Sequence, residues 1–128
     1  MTNRRPDTLY IAKPLHMEGP FKVGIATDVQ RRVRHLSNAS PFPLELVCSL
    51  PGTVEDERRI HAFLRNSHTR CEWFRNSPKI HTVIDWMKAG CLDHEALPAP
   101  IRIDALKGGR TAAEWRMAAA KPDPVEWR

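Results

Sequence analysis

Tyrosine occurs once in these 128 residues, cysteine three times and glycine six times. Cys48, Cys71 and Cys91 are odd in number, widely spaced and form no C-x-x-C pair. That argues against a disulfide framework and against a structural zinc site, and for free thiols in a reducing compartment. His16, His35, His68, His81 and His94 show no H-x-x-x-H grouping, so no zinc reading follows from histidine either. No apolar run approaches the roughly 20 residues a membrane span needs. The first six residues lack the apolar stretch of a secretory signal. The expectation is a cytoplasmic protein with no membrane association.

What the chain does contain is ordinary for a globular protein: 41% hydrophobic and 27% charged residues, in a length that suits one domain with appendages. A net charge of +5 directs attention to anionic partners. Its distribution is uneven. Residues 1–70 hold 11 Lys/Arg against 7 Asp/Glu, whereas 71–128 hold 9 against 8. The basic surplus lies in the N-terminal half.

Two short runs rich in β-branched and aromatic residues, 8–12 and 21–26, flank a Pro- and Gly-containing stretch and read as a hairpin. Thr27 with Gln30 is a capping-box pattern opening a helix in which Val29, Val33 and Leu36 share a face, stopped near Pro41 and Pro43. A third strand over 44–50 ends at Pro51 and Gly52. Thr53 with Asp56 caps a second helix through about Leu64, and Ser77 with Pro78 opens a third that Gly90 ends. The predicted class is α+β: a three-stranded antiparallel sheet flanked by helices, in the order β-β-α-β-α-α. The expected organisation is an N-terminal arm over 1–7, a domain over 8–90, and an irregular tail over 91–128. The tail holds one short helix over 111–120 and either packs on the domain or contacts a protein partner.

Helical geometry singles out two charged residues. At about 100° per residue, Glu57 falls in the middle of the stripe formed by Val54, Ile60 and Leu64. A carboxylate facing a core needs a cation, a metal ion or hydrogen-bond donors. Both a buried Glu-Arg salt bridge and a ligand site satisfy that need. On the preceding helix Arg32 borders the buried stripe, where a guanidinium can fork onto a phosphate or a carboxylate. Arg31, Arg34, Arg58, Arg59 and Arg65 read as solvated helix faces. Of these, Arg31, Arg34, Arg58 and Arg65 are candidates for weak contacts to a nucleic-acid backbone. His61 shares the face of Glu57 at i, i+4, which allows joint ligation or a hydrogen-bonded core histidine. Tyr10, mid-strand, packs unless a motif says otherwise.

These residues stand in an order that resembles the GIY-YIG nuclease superfamily. Leu9, Tyr10 and Ile11 look like the first half of its signature, and Lys22, Val23 and Gly24 like the second. Arg32 matches the family's helix arginine and Glu57 its metal-binding glutamate. The resemblance is closest to a small phage and bacterial subgroup. Gly24 to Asp28, Glu57 with His61 and Phe63, and Cys71 to Phe74 match that subgroup's further motifs, covering about residues 8–89. Thr8 stands where the first motif has glycine, Lys22 where the second has tyrosine, and Cys71 where a glycine precedes the E-W-F motif. Glu72, Trp73 and Phe74 read as packing.

The resemblance implies an endonuclease of phage or mobile-element character that hydrolyses DNA phosphodiesters with one Mg²⁺ or Mn²⁺ held by Glu57. It implies a catalytic set of Tyr10, Lys22, Arg32 and Glu57, with Gly24, His61 and His35 in support. Tyr10 would accept the proton of the attacking water, its phenol lowered from near 10 by Lys22 and Arg32. The competing reading is a non-catalytic nucleic-acid-binding or protein-interaction module that retains the fold.

Overall fold

The computed structural model describes residues 6–106. Strands β1 (Thr8–Pro14) and β2 (Phe21–Ala26) precede helix α1 (Val29–Ala39). Strand β3 (Leu44–Pro51) precedes α2 (Val54–Phe63), the short strands β4 (His68–Arg70) and β5 (Trp73–Phe74), and α3 (Pro78–Ala89). The five strands form one sheet in the order β3-β1-β2-β5-β4, with every pairing antiparallel. The α+β class holds. The count of three strands was too low by the β4–β5 hairpin, whose strands of three and two residues are too short to show an alternating pattern.

β1 is an inner strand of the sheet that contributes to both cores. Leu9, Tyr10, Ile11 and Ala12 are all buried. Successive side chains point to opposite faces, so Leu9 and Ile11 join one core with Ile60 of α2, Leu64 at its C-cap, and Ile80, Val83 and Met87 of α3. Tyr10 and Ala12 face the other way, against Val33 of α1. In β3 the register passes from Ile11↔Cys48 to Ala12↔Leu46. The extra residue, Val47, forms a bulge that keeps each neighbour on its proper face.

Two helix starts are as expected. Thr53 and Asp56 exchange both bonds of a capping box at 3.1 Å, and Ser77 caps α3 with Pro78 at its first position. α1 begins one residue later than the Thr27–Gln30 pattern implied, because the Asp28 side chain accepts from the Arg31 amide at 3.1 Å. Gly90 ends α3 at φ 86°, in the left-handed region glycine favours.

Residues 91–106 lie on the domain. Leu92, Leu97 and Leu106 are buried in the larger core, with Ile101 and Ile103 packed beside them. Arg59, read from sequence as a solvated residue, clasps this segment. Its guanidinium donates to the carbonyls of Leu97 at 2.9 Å and Pro98 at 3.0 Å, and also to that of His94. The helix expected over 111–120 lies outside the described residues. Among the described residues, no helix is long and apolar enough to cross a membrane.

Candidate active site

The site begins at the register of the first hairpin, where Tyr10 lies directly opposite Gly24. A Cβ on Gly24 would stand 2.6 Å from both Cζ and Oη of Tyr10. The phenol is laid flat across the glycine backbone, and no larger residue fits there without moving the ring. Lys22 and Gly24 share the Tyr10 face of the sheet, since β2 alternates and Phe21 and Val23 enter the opposite core.

α2 reaches this region along the outer edge of β2. β5 pairs with β2 only through Phe21 and Lys22. The polar groups of Val23 are met by two other partners. Its amide donates to the Glu72 carbonyl at 3.0 Å, and its carbonyl accepts from Nε2–H of His61 at 3.0 Å. His61 also stacks on Phe74, with ring centroids 5.4 Å apart. Glu57, one helical turn before His61, is thereby carried to the same edge.

Glu57 is only 7% exposed, and among the described residues its carboxylate makes no hydrogen bond or ion pair. The sealed side-chain atoms without a partner among those residues are Nδ1 of His61 and Nδ1 of His68. The Glu57 oxygens are therefore unpartnered among the described residues and not completely sealed from solvent. Burial, and then the negative charge of Glu72, push the Glu57 carboxyl up to about 7, against the opposing charges of Lys22 and Arg58. The salt bridge between Glu57 and an arginine, allowed by the sequence, does not form among the described residues.

Tyr10 feels the same neighbourhood. Burial raises its phenol to about 12, Glu72 and Glu57 add to the rise, and Arg32 opposes it. This corrects the expectation of a lowered phenol. The ring sits in a core at 2% exposure, and Lys22 is occupied, its Nζ 3.0 Å from Oε2 of Glu72. At neutral pH Tyr10 is a phenol. Arg32 itself is exposed on α1, close enough for its charge to act on Tyr10.

The structure thus brings Tyr10, Lys22, Gly24, Arg32 and Glu57 into one region. His61 enters as a hydrogen-bonded core histidine. Burial holds its pKa below the ordinary value, Nε2 is taken by Val23, and Nδ1 is sealed, so it has no free nitrogen for a metal. His35, Arg31, Arg34, Arg58 and Arg65 are exposed. Of these only Arg58 acts on the Glu57 charge. Glu72 is the residue that sequence reasoning missed. It pairs with Lys22, and its charge reaches Tyr10, Glu57 and His61 alike. The signal was visible as part of the Cys71–Phe74 motif. Phe74 alone is core, while Trp73 is half-buried beneath Lys22, whose Nζ lies 5.8 Å from the ring centroid.

No group of three His, Cys, Asp or Glu side chains among the described residues could cage a metal ion. The donor set fits a hard divalent cation of another kind. Mg²⁺ keeps several waters and is commonly bound by one or two carboxylates plus substrate phosphates, and Glu57 offers a carboxylate unpaired among the described residues. Neither of two surface clefts, one along Ile101 to Ala105 and one between Phe21, Val47 and Ile84, includes any of these residues.

The sequence of this α+β domain places it in a family. The chain belongs to the T5orf172 domain family, whose profile matches residues 7–91. No curated protein and no solved structure matches it.

Proposed function

We propose that this chain is a metal-dependent nuclease of the GIY-YIG type, hydrolysing DNA phosphodiesters with one Mg²⁺ or Mn²⁺ held at Glu57. The observation that carries the reading is Glu57 itself: buried, its carboxylate not completely sealed and unpaired among the described residues, and in the same electrostatic neighbourhood as Tyr10 and Lys22. A stabilising salt bridge would leave no such carboxylate. When bound, the ion would supply Lewis-acid stabilisation of the phosphoryl oxygens and the leaving alkoxide. Arg32, exposed on a helix whose residues 29–39 include three arginines and no acid, forks onto the phosphate. Tyr10 hydrogen-bonds the attacking water and fixes its direction. Arg32 is the cation of this chain that moves the raised phenol back toward acting as a base.

A second reading, a binding module without turnover, draws on one specific observation. In the free protein Tyr10 keeps its phenolic proton at neutral pH and Lys22 is paired with Glu72, so Tyr10 is not itself a ready base. The test is supercoiled plasmid incubated with Mg²⁺ or Mn²⁺ and wild type, Glu57→Ala or Tyr10→Phe. Nicking that both variants lose is the expected result. Equal nicking by all three refutes the site. Salt-sensitive binding without nicking favours the module.

A further inference from the structure

Among the described residues, Lys22 is the cation of the site that is held in an ion pair. Its Nζ lies 3.0 Å from Oε2 of Glu72, with the lysine side chain 13% exposed and the glutamate 32% exposed. Glu72 is delivered by a hairpin that is fixed on both sides of it. The preceding Cys71 takes a left-handed conformation at φ 50°, and its carbonyl accepts from Nε2–H of His68 at 2.6 Å. The carbonyl of Glu72 accepts from the Val23 amide, and the following residue, Trp73, pairs with Lys22 itself in the β2–β5 register. The carboxylate is built against the ammonium from the turn between β4 and β5, and its backbone is tied on both sides.

We propose that Glu72 is a positioning residue of this site: it holds the Lys22 ammonium in an ion pair that a nucleic-acid phosphate must displace before Lys22 can bind it. Lys22 then adds little net positive charge to the free protein. A phosphate and the Glu72 carboxylate compete for one cation, so the pair lowers the affinity for a polyanion and lessens its salt dependence, while keeping the ammonium aimed at the face shared with Tyr10. The inference rests on the nucleic-acid reading above.

The experiment uses the full chain as wild type, Glu72→Gln, Glu72→Asp, Lys22→Ala and the Glu72→Gln/Lys22→Ala double variant. Binding to a short labelled DNA duplex is followed by fluorescence anisotropy in EDTA across a potassium chloride series, with thermal melts to confirm folding. Glu72→Gln is expected to bind about two- to fivefold tighter, the scale of a partly exposed ion pair. Its logarithmic salt slope should steepen by about 0.9, one further phosphate neutralised. Glu72→Asp should restore wild-type binding, and the gain should vanish when Lys22 is alanine. Unchanged or weaker binding by folded Glu72→Gln, in a wild type that binds, overturns this inference alone. An equal gain without Lys22 also overturns it, because Glu72 would then merely repel DNA. Absence of duplex binding by both wild type and Glu72→Gln overturns the inference and the nuclease reading together.

Discussion

Replacing Glu57 by glutamine should stabilise the fold by about 2 kcal/mol at pH 8 and cost about 1 kcal/mol at pH 4. The carboxyl is raised from its ordinary 4.5 to about 7 by burial and by Glu72. Below 4.5 both folded and unfolded chains carry the proton, and Glu57 takes nothing from stability. Between 4.5 and about 7 the unfolded chain has lost the proton that the folded chain still holds, so stability falls as pH rises. Above about 7 both are ionised and the loss is complete. The gap, at ~1.36 kcal/mol per pH unit, corresponds to about 3 kcal/mol. An amide in the same place is neutral but incompletely hydrogen-bonded, which costs about 1 kcal/mol, leaving a net gain of about 2 kcal/mol. Urea unfolding of wild type and Glu57→Gln at the two pH values measures it, the difference between proteins cancelling the titration of other groups. Loss of stability at pH 8 in Glu57→Gln would refute the reasoning, because it would mean the carboxylate is held by a stabilising partner. The same samples test the ion. Mn²⁺ at a hundredfold excess over its dissociation constant should stabilise wild type at pH 8 by about 2.7 kcal/mol. That gain should fade as the pH falls below about 7, where a proton competes for Glu57, and be absent in Glu57→Gln.

Three further outcomes follow from single contacts. Gly24→Ala places a methyl 2.6 Å from the Tyr10 ring; it should cost about 1–3 kcal/mol in a thermal melt and reduce plasmid nicking more than duplex binding, since the phenol moves. Cys71→Gly relieves a left-handed residue at φ 50° and should add about 1 kcal/mol of stability, read as a raised melting temperature. Arg59→Ala removes the donor to the His94, Leu97 and Pro98 carbonyls; it should cost about 2 kcal/mol and speed hydrogen exchange across residues 92–106 before the rest of the domain.

Much of the fold was legible because it is written in local chemistry. The capping box at Thr53 and Asp56, the Ser77–Pro78 start and the Gly90 stop each act within one turn of chain, and the structure keeps all three. The position of Glu57 in an apolar stripe was also readable, because helical periodicity places it there whatever the helix packs against. The β4–β5 hairpin was not readable. Its strands are defined by pairing with β2 and by the fold of Cys71, not by alternation of their own. Arg59 looked like any helix-surface arginine until residues 94–98 were brought beside it.

The candidate site divides in the same way. Sequence by itself determined the three helices and the three longer strands, and that Glu57 stands within an apolar stripe with Arg32 at the border of another. Tertiary structure alone decided what each side chain meets. Tyr10 faces a core and Glu72 rather than a field of free cations, so its phenol rises where the sequence led us to expect a fall. Lys22 meets a carboxylate fifty residues away in the chain, and Glu57 meets no partner among the described residues. The physical reason is range. Capping, periodicity and turn chemistry act over a few residues and are encoded where they act, whereas burial and charge–charge coupling depend on which distant segments share a low-dielectric space.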